Sequence, residues 1–592
     1  MAATNRIIVA IDFGTTFTGV AYAEVPSDYC GGAPEITVVQ DWPKAQTGTV
    51  SAVKVPSQIQ SLADGGAGHR WGYDIPPDMK RHTWFKLHLE TDRGGSDKTD
   101  SSAVDITAAF LAHVKTHLFK VLGKERGVDL WGSLSLELVI TFPAIWSDKT
   151  LKAVDKTGFN KYELPHLKQI VTTTEPEAAT LYVLHTMRTS RVFGEIGVGE
   201  SFLVCDLGGG TVDTVAYEVD QIEPLILKEV TVGAGRQCGS SFIDQEFLLF
   251  LQNKLGDERF FEMSENCEAA EIQRAAIPAI LAKLLQRFSQ MKCGFDGREG
   301  GLIELPHCLH DVQGIQDGEL PISKDEMVTL FRPCCAQVVD LIQEQLERAK
   351  RNKATVKQVL VVGGFAASQY MYKEIEAAVE RFSGTMHVVR PQNPWAAVVM
   401  GAVLTGLQCR QSPIVSSRMC RRHYGTEVNT PYDKKHHEGS TTEICKVTGA
   451  KFACQRMRWI LPKGKDLPTE DSVHVSHEVE WSFAIDEEKP VGKIELKACD
   501  LDTAPDDSTN ENVYAVATII VDLIKLPYTI CRRKRKRGMS SGSRYHKYEC
   551  IIELSIQTSP YQKDGLLIHP CDIFLISAQE AVWNHWIPVL RQ

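Results

Sequence analysis

The sequence lacks a long apolar run. None of its 592 residues falls in a stretch approaching the roughly 18 apolar positions that a membrane-crossing helix needs. The opening MAATNRIIVAID has no apolar core long enough for a secretory leader, and Asp12 interrupts it. No C-x-x-C pair occurs among the 16 cysteines, and the adjacent Cys334 and Cys335 have neither metal-site nor redox spacing. Several, such as Cys205, sit inside apolar strand-like runs, as buried free thiols of a reducing compartment do. A basic excess is missing too. The formal net charge of −10 does not suit a dedicated binder of nucleic acid or membrane. With 24% charged and 43% hydrophobic residues, the composition is that of a folded chain rather than a globally disordered one. These absences leave the expectation of a soluble protein, cytoplasmic with a nuclear location left open. A monomer is expected as well, on no feature of its own.

What is present is enough chain for about four domain-sized units. IIVAID at 7–12 reads as a buried strand, and 15–25 as its hairpin partner. Residues 103–122 show helical spacing, and LELVITFP at 136–143 a strand stopped by Pro143. A helix opens at Glu175, with Pro176 in its first turn. SFLVCD at 201–206 is another buried strand, 241–293 is mainly helical with a break near Pro278, and QVLVV at 358–362 is a strand. Ser368 is placed to cap a helix from Gln369. After about 410 helical periodicity fades. Alternating runs such as 512–523 and 547–557 predict an antiparallel β domain, with a boundary near 408–420.

An internal repeat is the most informative feature. IVAIDFGTTFTGVAYAEV at 8–25 and FLVCDLGGGTVDTVAYEV at 202–219 match with one gap, bringing Asp12 onto Asp206 and Gly14 onto Gly208. Two copies suggest two related subdomains facing each other. In each unit a strand ends on a carboxylate and a turn of small residues follows. Such a turn exposes consecutive backbone N–H groups that hold phosphate oxygens. Gly14, Thr15, Thr16 and Phe17 supply one turn, and Gly208, Gly209, Gly210 and Thr211 the other. Asp12 and Asp206 would repel a phosphate directly, so an intervening Mg²⁺ held through water is implied. Asp213 is a further candidate to hold water or metal. Glu175 is a candidate to position the attacking water. The helix dipole alone accounts for an acid at that place, and on spacing this is the simpler account. In VVGGFAAS at 361–368, Gly363 and Gly364 suit the wall of an adenosine pocket, although a glycine pair between strand and helix usually only permits close packing.

These residues resemble the actin-like ATPase superfamily, and within it the seventy-kilodalton heat-shock protein family. IDFGTTFT at 11–18 and CDLGGGTVD at 205–213 look like its two phosphate motifs. TEPEAATLY at 174–182 and NPWAAVVMGAVLTG at 393–406 look like its two connecting helices, and VVGGFAAS like its adenosine motif. All five stand in the family's order over roughly 1–410. The resemblance implies an α/β, actin-like ATPase fold: two related subdomain pairs around a nucleotide cleft, spanning 1–410 with halves of about 1–190 and 191–410. A mainly antiparallel β domain over 411–592 would follow. It implies ATP or ADP with Mg²⁺, a magnesium environment at Asp12, Glu175, Asp206 and Asp213, phosphate contacts from both turns and from Gly239, and a ribose contact from Lys292. Unfolded or client polypeptides are the implied partners.

The departures are equally specific. GYDIPP at 72–77 stands where the family carries its catalytic lysine, with Lys80 or Lys86 as substitutes. Cys293 and Ala367 stand where two arginines clamp adenine, and Ser289 replaces an acidic ribose contact. No leucine-rich linker follows 408. MRWILPKGKDLP at 457–468 loosely resembles the opening of the substrate-binding sandwich, with no helical lid behind it. The basic run RRKRKR at 532–537 belongs to no family motif and reads as a charged hairpin loop or an import signal. Two functions follow: an ATP-driven switch with slow hydrolysis and chaperone-like binding, or a pseudo-ATPase that binds nucleotide without turnover. A sugar-kinase-like or filament-forming role lacks a supporting motif.

Overall fold

A computed structural model describes residues 5–29, 34–43, 52–60, 69–76, 79–89, 100–127, 134–143, 154, 156–157, 159, 164, 166–189, 196–223, 225–274, 277–306, 318–408, 414–469, 473–486, 490–524, 528–532, 544–556, 573–579 and 584–587. It divides into two compact units, the first running from the N-terminus to Ile414 and the second beginning at Val415. Among the described residues no helix is long and apolar enough to cross a membrane.

The first unit repeats one sheet plan twice. Strands β1 (Asn5–Phe13) and β2 (Phe17–Pro26) form an antiparallel hairpin. On the other side of β1 lie β3 (Ser135–Phe142) and β4 (Leu167–Thr174), each parallel to its neighbour. The second sheet is built the same way. An antiparallel hairpin of β5 (Ser201–Leu207) and β6 (Val212–Gln221) has β7 (Ile226–Glu229) beyond it. Parallel strands β8 (Val356–Val362) and β9 (His387–Val389) lie on the far side of β5. Strands buried on both faces need continuous apolar runs, and β1, β5 and β8 have them.

Helices cover these sheets. The chain supplies α1 (Asp100–Arg126), α2 (Glu175–Thr189), α3 (Ser241–Leu255), α4 (Ala279–Gly294), α5 (Lys324–Arg351), α6 (Gln369–Phe382) and α7 (Ala397–Gln408). The 241–293 region breaks near Pro278, which precedes α4, as expected. It breaks also at Gly256, whose φ of +83° closes α3 and which the sequence reading did not single out. Helix α5 starts with a full capping box between Ser323 and Glu326. The Ser368 hydroxyl accepts from the Met371 N–H at the start of α6, as its sequence position predicts.

The second unit is antiparallel β. One sheet runs Thr442–Ile444, β11 (Lys451–Leu461), β10 (His423–Pro431), β12 (Val491–Cys499) and β13 (Val513–Asp522). A second is centred on β15 (Arg544–Ile556), paired with β14 (Val473–Ala484) along its length. Ile494, Leu496, Ile519 and Val521 of the first sheet share a core with Tyr548 and the half-buried Trp481 and Phe483 of the second. Among the described residues from 415 onward, the one helix is the four-residue Lys434–His437. Of the basic run, Arg532 ends a strand at Thr529–Arg532, and 533–537 lie outside the described residues.

Candidate functional site

The two hairpins of the repeat end in turns of one form. Gly14 packs against the carbonyl of Phe17, and Gly208 against that of Thr211, so that a Cβ at either glycine would overlap the oxygen. The Gly208 N–H donates to the Thr211 carbonyl at 2.9 Å. The turns also face each other. A side chain on Gly209 would overlap Thr16, and one on Gly210 would overlap Thr15. The chain entering α3 backs the second turn, with Gly239 donating to the Gly210 carbonyl at 3.0 Å and Ser241 to that of Gly209 at 2.7 Å. The first turn is held by Ser57. Its hydroxyl donates to the Gly14 carbonyl at 2.7 Å, and its N–H to the Thr16 carbonyl at 2.8 Å.

Between the turns lies a cavity of about 310 Å³. Both turns line it, together with Asp12, Glu175, Asp206, Gly363 and Gly364. Gly363 has φ +89° and lies against the Asp206 carboxylate, where a Cβ would overlap Oδ1. Asp213 is buried directly across the hairpin from Asp206, behind the residues that line the cavity. Gly239 supports the second turn from behind. Lys292 is buried in an ion pair, its Nζ 2.6 Å from Asp244 Oδ1 and 3.0 Å from the Ser240 carbonyl, and does not line the cavity. Ser289 is half-buried on α4, while Cys293 and Ala367 are exposed.

The cavity gathers charge of both signs. Lys86 Nζ lies 2.8 Å from Glu175 Oε1, with both side chains nearly buried. Lys86 sits in the 3₁₀ turn Phe85–Leu89, which Phe85, Leu87 and Leu89 anchor in the core. Its ammonium also stands 5.6 Å from the ring centre of Phe13. Of the two lysines that sequence offered as substitutes, the fold therefore brings Lys86 to the cavity. Lys80 pairs on the surface with Glu265 at 2.7 Å. Elsewhere in the lining Lys54 Nζ lies 2.7 Å from Asp12 Oδ2, and the Thr141 hydroxyl donates to Asp12 Oδ1 at 3.3 Å. Burial, and then the neighbouring Glu175, Asp12 and Asp213 carboxylates, push Asp206 well above the ordinary range, with Lys54 opposing them. Lys54, Tyr73 and Trp395 line the cavity as well. Trp395 lies in the 393–406 motif and Tyr73 in GYDIPP, though neither was singled out as a site residue, and Lys54 lies in no motif.

These groups fit a polyphosphate with a hydrated divalent cation. The glycine turns form cradles that any Cβ would fill, and two ammonium groups stand within the walls. Among the described residues no cluster of three or more acidic, histidine or cysteine ligands encloses a metal position. Two carboxylates with retained waters are what Mg²⁺ takes, and Asp12 and Asp206 offer them.

A family model described as Hsp70 protein matches residues 69–412, more than half the chain. The chain belongs to the Hsp70 family. Membership implies the actin-like ATPase fold for the first unit, in accord with its duplicated sheet plan. The matched span begins after the first glycine turn, so Gly14–Phe17 is tied to the family by its repeat relation to Gly208–Thr211. Similar curated proteins include human heat shock 70 kDa protein 12A, 25% identical over 73% of each chain, and human heat shock 70 kDa protein 12B, 24% identical over 70% of this chain and 71% of its own. The chaperone protein DnaK of Mycoplasma mycoides is 25% identical over 67% of this chain and 58% of its own. These identities mark a divergent member, and the family relation supports a nucleotide-binding, chaperone-like role.

Proposed function

We propose that the first unit, taken as residues 1–410 with halves of about 1–190 and 191–410, binds ATP and ADP with Mg²⁺ between its two glycine turns. It hydrolyses ATP slowly as a conformational switch for polypeptide binding by the β-rich unit. The observation that carries this reading is the face-to-face packing of the turns around a cavity that also holds the Lys86–Glu175 pair. Bound magnesium would neutralise phosphate charge. In this reading Asp12 and Asp206 hold its waters, with Asp213 behind Asp206. The turn N–H groups grip the phosphates, Glu175 orients the attacking water, and Lys86 meets charge that develops on the transferred group. Gly363 and Gly364 give the adenosine a wall without side chains. The polypeptide partner is supported by the family relation to proteins that include a DnaK chaperone. A switch works only through unequal affinity of nucleotide for two conformations.

The second reading is a pseudo-ATPase. Exposed Cys293 and Ala367, in the places the family gives to adenine-clamping arginines, favour a weak hold on the base. The Lys86–Glu175 pair tips the balance towards turnover, because it supplies the amine whose absence from the motif suggested a dead site. Single-turnover hydrolysis with Mg²⁺ separates the two. Slow product formation lost in Asp206→Ala supports the switch. Equal rates in the two proteins would leave the pseudo-ATPase.

A further inference from the structure

Lys54 belongs to neither glycine turn, yet its ammonium stands in the cavity against Asp12. The fold builds that placement. Val55 and Pro56 pair with Thr18 and Phe17 of β2, which fixes the segment carrying Lys54 beside the first turn. The Tyr73 hydroxyl donates to the Lys54 carbonyl at 3.0 Å. The lysine stem crosses β2 at Gly19, where a Cβ would come within 3.2 Å of Cε. A larger residue at position 19 would push the stem aside. The Lys54 side chain is only 16% exposed. Holding an extended ammonium in so enclosed a place costs desolvation and rotamer freedom, which the Asp12 carboxylate offsets.

Asp12 is also one of the two carboxylates that would hold a hydrated Mg²⁺. Its Oδ2 already has a cation 2.7 Å away. Lysine suits an exchange of partners, because its charge is a compact point on a flexible stem with three rotatable donors. Phosphate oxygens entering between the turns would find this ammonium on one wall and that of Lys86 on another.

We propose that Lys54 is a resident counter-ion of the cleft: it neutralises Asp12 when the cavity is empty and turns to the phosphates when a nucleotide enters. The cleft therefore binds nucleoside diphosphates and triphosphates without a divalent cation. This rests on the nucleotide reading of the site, and its test separates the two.

Calorimetric titration of the full chain with ADP, once in EDTA and once with Mg²⁺, reads the effect directly. The expected dissociation constant in EDTA lies within about tenfold of that in Mg²⁺. Lys54→Gln loses ~10- to 100-fold in EDTA, the scale of one charged hydrogen bond, and much less with Mg²⁺. Lys54→Arg keeps most of the EDTA binding, and thermal unfolding verifies that each variant is folded. A wild-type protein that loses more than ~100-fold in EDTA, or a Lys54→Gln variant weakened equally in both buffers, overturns the counter-ion role and leaves the nucleotide site standing. No ADP binding in either buffer overturns both.

Discussion

Gly401 in α7 lies directly on the carbonyl oxygen of Ala178 in α2, with no room between them for a Cβ. The helices that follow the two halves of the repeat thus cross backbone to backbone. Five residues further along α7, Gly406 lies over Ile8 and Val139 of the first sheet, where a Cβ would come within 2.6 and 2.9 Å of their side-chain methyls. A methyl group at 401 has to move a backbone rather than a flexible side chain. Gly401→Ala is expected to cost about 1–3 kcal/mol, and Gly401→Val more. Thermal unfolding of the two variants against wild type measures this. An unchanged melting temperature in Gly401→Val would show that the crossing yields.

Arg6 and Glu137 make a second, quite different contact. They sit on neighbouring strands β1 and β3, both fully buried, with Arg6 Nη1 2.7 Å from Glu137 Oε2. Gln169 of β4 donates to the same oxygen at 3.2 Å. Burying two ions is expensive, so the pair itself adds little net stability, but leaving one ion without its mate costs a great deal. Glu137→Leu alone should destabilise by about 3–5 kcal/mol. Arg6→Met combined with Glu137→Leu should recover most of that loss. Urea denaturation of the single and double variants gives both numbers, and equal midpoints for the two would count against the argument.

The repeat carried most of the fold and half of the site. Matching 8–25 to 202–219 places Asp12, Gly14, Asp206 and Gly208 at the ends of two hairpins, and that is where they stand. Strand ends and caps such as Pro143 and Ser368 are local features that a short window of sequence specifies. Lys54 is another matter. It lies in 52–56, which contributes only a two-residue strand, and no periodicity there says which wall it will line. Lys80 and Lys86 were equivalent by spacing. The buried Phe85, Leu87 and Leu89 around Lys86 decide between them, and that packing depends on α1 and Phe13, far away in sequence. Lys292 shows the converse. Its buried place on α4 serves the Asp244 carboxylate of α3, a partner that spacing did not identify.

Two histidines on α1 give the first unit a pH dependence. His113 stacks on Trp71 and His117 on Trp42, with ring centres 5.8 Å and 5.2 Å apart. Burial lowers both below the ordinary value of 6.5, and the nearby His69 adds to this for His113. For His117, Asp41 opposes the shift and Lys120 reinforces it. The unfolded chain therefore binds more protons than the folded one just below pH 6.5. Stability is fully present above that value and falls as pH drops towards the lowered values of the folded state. Replacing both with phenylalanine, which keeps the stacking, should flatten the slope of the unfolding midpoint between about pH 7 and 5. A slope as steep as that of the wild type would assign the acid sensitivity elsewhere.

Lys86 offers the sharpest test of turnover itself. Its pair with Glu175 is nearly sealed from solvent, so its charge acts in a medium that screens it little. If it meets charge that develops only as the phosphoryl group departs, its removal should strike the rate more than the affinity. Lys86→Met is expected to lower single-turnover hydrolysis by about 10²–10³-fold while changing the ADP dissociation constant by much less. Lys80→Met, whose lysine pairs with Glu265 on the surface, should leave both quantities near wild type. Equal losses in rate and affinity for Lys86→Met would make the lysine a simple phosphate anchor. A loss of affinity with an unchanged rate would remove it from the chemistry altogether.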